Sequence, residues 1–323
     1  MELNDLTDLH QHLGFSSTPN FLWELAHEQG IKVGEKDYWQ FIEKITIKKT
    51  TTQKEYHHLF DVTQHIQSSP YAVEKTVHNA ISQSYRQAGV TTIEMRLNPM
   101  RRNKGGEHDL DKIILAACVG LKKACLEYPI RAGLIIETDR RFSQEHNEIL
   151  IDKAIAYKSF GVVGIDLSGP ENENFKINHL VKAYKSARQA GLGLTFHTGE
   201  TSSIDEMEEV VAKINPDRIG HGVKVVSEKK LMKIISDKKI VLEICPSSNI
   251  STQIIKDWDE MKTMFHTLKK NNVLFTINSD CPTLINTNVR EEFLKLLKNN
   301  ILTMADIINI KKIAQRSSFT NLK

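Results

Sequence analysis

The chain has 323 residues, of which 40% are hydrophobic and 26% are charged, with a formal net charge of +3 at pH 7. This length is enough for one large barrel or two ordinary domains, and so mild a charge gives no indication of a nucleic-acid partner. The four cysteines form no CxxC pair, which is typical of reduced thiols. Without a basic start followed by an apolar stretch, or an apolar run of bilayer length, we expect a cytoplasmic protein that contacts no membrane.

Eight apolar segments of strand length recur along the chain. Several are nearly continuous in Val, Ile and Leu, which is typical of parallel strands covered on both faces. The predicted strands are 6–12, 90–97, 130–138, 162–168, 192–198, 218–222, 240–245 and 273–279.

Segments with helical spacing separate these strands. In one of them Leu110, Ile113 and Ile114 fall on the same face. Eight alternations of strand and helix favour a (β/α)8 TIM barrel over a doubly wound open sheet, the alternative if 218–222 is a loop. The predicted helices are 109–126, 144–159, 178–190, 203–213, 227–237, 258–271, 288–299 and a final helix in 303–323.

Residues 18–88 are too long for a single crossover between strands. Helices inserted after the first strand would overhang the carboxyl-terminal mouth of a barrel, where they could serve as a lid. No linker, internal repeat or low-complexity block is visible, so we interpret residues 1–323 as a single domain. The predicted extra helices are 20–30, 36–47, 55–67 and 71–88.

Polar side chains capable of binding a metal lie at several predicted strand ends. His10 and His12 form an HxH pair, whose side chains share one face of a strand. Taken alone, such a pair is more often two packed or surface histidines than part of a metal site. His197 and Asp280 end two other strands and would project into the same barrel mouth. Three imidazoles and one carboxylate suit a divalent metal such as Zn²⁺, with one position open for water.

Two further residues are candidates for proton transfer. Glu200 follows His197 by three positions, and Gly199 permits a turn that brings the carboxylate over the metal. The alternative is an ordinary glutamate in the first turn of a helix. His221 lies between two glycines at the end of the sixth strand and could reach a bound water; the alternative is a packed core histidine.

The segments DLHQHLG, GIDLSGPE, HTGE, RIGHG, CPSSN and SDCP resemble, in order and spacing, the motifs of the adenosine deaminase family of the amidohydrolase superfamily. The motifs extend from residue 8 to residue 282. The resemblance implies a (β/α)8 barrel with one divalent metal, usually zinc. It also implies hydrolytic deamination of adenosine or 2′-deoxyadenosine, in purine metabolism, to inosine or deoxyinosine and ammonia.

The resemblance assigns a role to each matching residue. A metal-bound hydroxide would attack C6 of the purine, Glu200 would protonate N1, and His221 would orient the hydroxide. The backbone N–H of Gly169 would lie beside the base. The implied metal ligands are His10, His12, His197 and Asp280, the last of which also acts in catalysis.

Two substrate-binding positions depart from the family pattern. Gly14 stands where the family pattern HxHLDG has an aspartate that contacts the ribose hydroxyl. Cys281 stands where the pattern DDP has an aspartate that contacts the purine ring. We therefore expect the reaction type to be retained. The substrate stays open between an adenine-type nucleoside and a modified purine, such as adenine, an N6-substituted AMP or an aminofutalosine-like metabolite.

A basic segment follows the second predicted strand. At a barrel mouth Arg101, Arg102 and Lys104 could meet a phosphate or another acidic substituent, although exposed basic loops are common. Arg96 lies within the strand end and is the best candidate for a buried ion pair.

Three other classes of protein agree less well with the sequence. Other metal-dependent hydrolases of the superfamily often need a bridging lysine, and no predicted strand end offers one. The HxE…PCxxC signature of cytidine deaminases has no match. A scaffold protein on a decayed barrel would have lost its ligands and acid–base residues, yet all six are present. The identity of the metal and the oligomeric state stay open.

Overall fold

The computed structural model describes residues 3–47, 50–51, 53–170, 175–201 and 203–322, without the side chains of 53, 54 and 56–58. Eight parallel strands form one sheet in which each strand pairs with the next along the chain. The strands are β1 Leu6–His12, β2 Val90–Leu97, β3 Arg131–Asp139, β4 Val162–Ser168, β5 Gly193–Thr198, β6 Arg218–His221, β7 Val241–Ile244 and β8 Phe275–Ile277.

The sheet closes between its last strand and its first. The backbone N–H of His12 donates to the carbonyl of Asp280 at 2.8 Å, and the N–H of Asp280 donates to the carbonyl of His10 at 2.8 Å. Gln11 and Asp280 form a parallel bridge at this seam. The predicted TIM barrel is therefore confirmed, and 218–222 contributes a strand.

Helices surround the sheet and cover its outer face. Their apolar stripes pack on the strands, as with Ile113 and Ala117, which are fully buried. The helices are α1 Pro19–Glu28, α2 Tyr38–Ile45, α3 Gln53–Ile66, α4 Pro70–Ala88, α5 Leu110–Glu127, α6 Gln144–Ala156, α7 Val181–Gln189, α8 Ile204–Lys213, α9 Lys229–Lys238, α10 Pro246–Ser251, α11 Trp258–Lys270, α12 Pro282–Ile285, α13 Val289–Lys298 and α14 Met304–Ser317.

The helices α1 to α4 lie between β1 and β2, as predicted. They have an apolar cluster of their own, which contains Phe15, Phe41 and Ile66 and is distinct from the main core. On α3, Phe60 and Gln64 reach the pocket at the barrel mouth. The expected overhanging position of these helices is confirmed.

The carboxyl-terminal segment closes the opposite end of the barrel. The predicted final helix ends at Ser317 and is followed by a short 3-10 turn, Phe319–Asn321. The Phe319 ring packs against Gly164 and Gly193. A Cβ at either position would overlap the ring, so the close contact requires glycine. Within the described residues, none of the helices has the length and apolar content that a membrane span requires.

Candidate active site

A pocket opens at the carboxyl ends of the strands, beneath the helices inserted after β1. The predicted site residues that line it are His12, Gly169, His197, Glu200, His221 and Asp280. The others, His10, Gly14 and Cys281, are buried and lie outside the lining.

The four predicted metal ligands converge at the floor of this pocket. The ligand nitrogens of His10, His12 and His197 lie within 4.8 Å of one another, and Nε2 of His12 is 3.1 Å from Nε2 of His197. Oδ1 of Asp280 lies 3.6 Å from Nε2 of His10 and 3.5 Å from Nε2 of His12. Ligand atoms about 2.0–2.2 Å from a tetrahedral zinc ion are roughly 3.3–3.6 Å apart. The residues therefore fit a divalent metal.

Each of the three imidazoles has a buried carboxylate at Nδ1. A partner at this position keeps the proton on Nδ1 and leaves the Nε2 lone pair directed at a metal. Nδ1 of His197 lies within ion-pair distance of Asp166, but the two groups are not aligned as a hydrogen bond. The pairs are His10 with Glu243 at 2.7 Å, His12 with Glu137 at 3.0 Å, and His197 with Asp166 at 2.8 Å.

The electrostatics of the cluster favour the metal-binding form of three of the four predicted ligands. Burial, reinforced by Arg96, lowers the pKa of His10 well below its ordinary value, and burial with the nearby His12 does the same for the pKa of His197. Burial opposes ionisation of Asp280, but His12 and His221 lower the pKa of this carboxyl to about 2. Burial opposes the charged form of His12 as well, but Glu137 and Asp280 raise the pKa of this imidazole above its ordinary value. Neutral imidazoles and an ionised carboxylate are the forms that bind metals, so His12 would release its proton when a metal binds.

A second group of possible ligands consists of His10, His221 and Cys245. Burial, together with the carboxylates of Asp280 and Asp8, raises the pKa of the Cys245 thiol well above its ordinary value. Because the thiolate is the form that binds metals, this group is the weaker candidate.

The backbone is strained at two of the site residues. His221 has φ 59° and Asp280 has φ 60°, the left-handed region that side chains with a Cβ seldom occupy. Gly220 allows the close approach at His221, because a Cβ there would lie 3.1 Å from Cε1 of His10 and 3.2 Å from Cγ of His197. Such strain is typical of residues whose side-chain direction is fixed by function.

The two predicted proton-transfer residues face each other across the pocket. Nε2 of His221 lies 3.8 Å from Oε1 of Glu200. Gly199 has φ 68°, as the predicted turn requires. The other ring nitrogen of His221, Nδ1, lies 3.1 Å from the amide of Asn249, which fixes the ring in place.

Five residues that shape the site were not singled out from the sequence. Glu137, Asp166 and Glu243 lie beside the imidazoles, and the signal in the sequence was a carboxylate directly after apolar residues of a predicted strand. Ser248 donates to Oδ2 of Asp280 at 2.5 Å and Asn249 contacts His221. Both belong to the CPSSN motif, which was recognised as a motif without roles for its members.

The basic segment after β2 is divided between the core, the pocket and the surface. Arg96 is fully buried and pairs with Asp166 and Glu243, each at 2.9 Å, which confirms the expected ion pair. Arg101 lines the pocket. Arg102 is buried outside the pocket lining, and Lys104 is exposed.

The whole chain is similar in sequence to known proteins. The sequence model of the family described as Adenosine deaminase matches residues 6–323. An adenosine deaminase from Clostridium kluyveri is 29% identical over 99% of this chain and 91% of its own length. One from Vibrio atlanticus is 28% identical over 97% of this chain and 93% of its own.

Solved structures share the same barrel. An adenine deaminase from Arthrobacter aurescens has a TM-score of 0.87 at 19% identity, over 98% of this chain and 94% of its own. An amidohydrolase from Burkholderia ambifaria with bound zinc has a TM-score of 0.86 at 19% identity, covering 98% and 86%. An Arabidopsis N6-mAMP deaminase has a TM-score of 0.83 at 22% identity, covering 98% and 94%. At these identities the likeness concerns the fold.

Proposed function

Because the chain belongs to the adenosine deaminase family and is thus a metal-dependent hydrolytic deaminase, we propose that it removes the 6-amino group of an adenine-type nucleoside. The products are ammonia and the corresponding 6-oxo purine. The observation that carries this proposal is the convergence of three imidazoles, the Asp280 carboxylate and the Glu200–His221 pair on one pocket floor.

The metal would be held by His10, His12, His197 and Asp280. When bound, such an ion lowers the pKa of water and supplies a nucleophile near neutral pH. Glu137, Asp166 and Glu243 would keep the imidazole lone pairs directed at it.

Glu200 and His221 would move the protons of the reaction. As the water oxygen bonds to C6, Glu200 gives a proton to N1, so that the ring can accept the electron pair. His221, placed 3.8 Å from that carboxylate, receives the proton that the attacking water loses. The amino group then takes the proton held by His221 and leaves as ammonia when the C6–N bond breaks. The remaining hydroxyl proton on the C6 oxygen passes to Glu200, so that the 6-oxo product forms and both side chains return to their starting state. One water is consumed for each ammonia released.

Three positions, 14, 169 and 281, bear on substrate binding. Gly169 lines the pocket with φ 85°, and its N–H would contact the base. A Cβ at position 14 would lie 3.2 Å from Cδ1 of Phe60, so an apolar ring stands beside the missing carboxylate. Cys281 is fully buried in the apolar cluster of the inserted helices. Gly14 and Cys281 would affect substrate binding through the shape and polarity of the pocket wall that the inserted helices form.

A modified purine is the second candidate substrate. The absence of carboxylates at positions 14 and 281 favours a ligand other than adenosine itself, and one structural neighbour is described as an N6-mAMP deaminase. This candidate keeps the same reaction at C6 and changes the leaving amine or the substituent of the purine.

Ammonia release tests the proposal directly. Protein loaded with Zn²⁺ is assayed against adenosine, 2′-deoxyadenosine, adenine, AMP and N6-methyl-AMP, with methylamine measured for the last. Turnover of at least one of these purines is the expected result. Failure with all of them, in protein shown to contain one metal ion per chain, would refute the proposal.

A further inference from the structure

Two arginines at the pocket rim share a single carboxylate. Arg101 donates from Nε to Oδ2 of Asp139 at 3.1 Å, and its Nη2 lies 3.0 Å from the same oxygen. Arg141 donates from Nε to Oδ1 at 2.8 Å and from Nη2 to Oδ2 at 2.6 Å. Because both Nη2 groups contact Oδ2, the two guanidinium groups lie side by side on one wall of the pocket.

Asp139 is itself held firmly at the end of β3. Its backbone N–H and carbonyl are bonded to the side chain of Asn147 at 2.8 and 3.0 Å. Gly169 leaves room for the carboxylate, since a Cβ there would overlap Oδ1 of Asp139. Arg101 also lies over the Phe142 ring, 5.5 Å from its centre. The rim is therefore arranged before any ligand binds, which lowers the entropic cost of binding.

Among the residues that the structure describes, the rim carries more positive than negative charge. Arg101 and Arg141 share the carboxylate of Asp139, whereas neighbouring Arg140 has its own partner, Glu206, at 2.5 Å. In the part of the chain that the structure describes, no contact is recorded for Nη1 of Arg101 or of Arg141. Two adjacent guanidinium groups with N–H donors to spare match the oxygens of a phosphate.

A buried acceptor lines the same pocket. Nδ2 of Asn98 donates to the carbonyl of Glu137 at 3.0 Å, so Oδ1 is the free end of this amide. That oxygen is buried and has no partner among the described residues. A buried acceptor left without a donor is costly, and a ligand hydroxyl would satisfy it.

We propose that the substrate is an adenine nucleotide whose phosphate binds Arg101 and Arg141 and whose ribose donates a hydroxyl hydrogen bond to Asn98. Asp139 acts as a positioning residue that holds both arginines. This inference rests on the proposed function, because the adenine ring must reach the floor while the substituent at its far side reaches the rim. Arg101 and Arg141 thus select the substrate by charge.

The test compares AMP with adenosine in zinc-loaded protein by steady-state ammonia release. We expect kcat/KM for AMP to exceed that for adenosine by at least about tenfold, the effect of one charge-assisted hydrogen bond or more. In Arg101→Gln and Arg141→Gln the ratio of the two kcat/KM values should fall by about tenfold, mainly through KM for AMP. The matched control is Lys104→Gln, an exposed basic residue outside the pocket, whose ratio should not change.

Other results would overturn the inference. A wild-type preference for adenosine, or a loss in the arginine variants that affects both substrates equally, would make the rim a structural ion-pair network. If neither AMP nor adenosine is turned over, calorimetry with these two purines decides the inference, while the proposed function is decided separately by the full panel of five purines. Tighter binding of AMP that weakens in Arg141→Gln supports the phosphate site, and equal binding of the two refutes it.

Discussion

Arg218 donates from Nε to Glu243 at 2.6 Å, and the other oxygen of this carboxylate lies 2.7 Å from Nδ1 of His10. The far side of the same guanidinium pairs with Glu94 at 2.6 Å and donates to the carbonyl of Ser317 at 2.6 Å. All three charged residues are buried. A column of buried charges therefore connects the carboxyl-terminal segment below the barrel to the imidazole of His10 above it.

Replacing Phe319 by alanine should destabilise the barrel. The ring is 3% exposed and lies 3.6 Å from the guanidinium carbon of Arg218, so its removal leaves a cavity beside a buried charge. We expect the free energy of unfolding to fall by about 3–5 kcal/mol in urea titrations. Leu322→Ala is the control, because Leu322 is 50% exposed and its loss should cost less than about 0.5 kcal/mol. Similar losses in the two variants would show that Phe319 does not close the barrel.

Replacing Glu137 by glutamine should weaken metal binding. An amide at Nδ1 of His12 is a poorer acceptor than a carboxylate, so the ring is less basic and less firmly oriented. Chelator competition should show a metal affinity about 10–100-fold lower. Glu127→Gln is a matched control, since Glu127 contacts His78 at 2.7 Å on the surface. An unchanged affinity in Glu137→Gln would argue against His12 as a ligand.

Replacing Glu200 by glutamine should abolish turnover without removing the metal. Glutamine keeps the size of the side chain but cannot give a proton to N1, and general acid–base catalysis contributes about 10²–10⁴-fold. Ammonia release and elemental analysis are measured on the same samples, with the exposed Glu208→Gln as control. A loss of metal in Glu200→Gln would mean that Glu200 is a ligand.

Sequence patterns predict the barrel and the metal ligands for the same reason. The hydrophobic periods of strands and helices can be recognised from neighbouring residues alone. Once the strands form a parallel barrel, their carboxyl ends meet at one mouth, so residues at these ends come together. The shortest elements were harder to predict. The strands β7 and β8 are shorter than predicted, and α10 and α12, each beginning at a proline after a cysteine, were not predicted.

The supporting contacts depend on register across the barrel, which no local pattern contains. Glu243 contacts His10 from a strand more than 200 residues away in the sequence. Within its own strand, it is recognisable only as a carboxylate among apolar residues. Phe319 likewise packs against glycines of β4 and β5, although its own segment shows no period that would place it there.

Replacing Asp139 by asparagine should lower stability in a pH-dependent way. Burial alone would raise the pKa of this carboxyl, but the hydrogen bonds and charges of Arg141 and Arg101 hold it below the ordinary 3.8. A lowered pKa in the folded state means that the ionised form favours folding. This contribution is complete above the ordinary pKa and is lost as the pH falls through the lowered value.

Urea titrations of wild type and Asp139→Asn at several pH values measure this contribution. At pH 7 the variant should be less stable by about 1–3 kcal/mol, the cost of a broken hydrogen-bonded ion pair, reduced because Arg141 is partly exposed. The difference should shrink as the pH falls below 3.8. Asp152→Asn, an exposed aspartate on α6, should follow the wild type throughout. A difference between wild type and Asp139→Asn that stays constant with pH would show that Asp139 acts through its shape, without its charge.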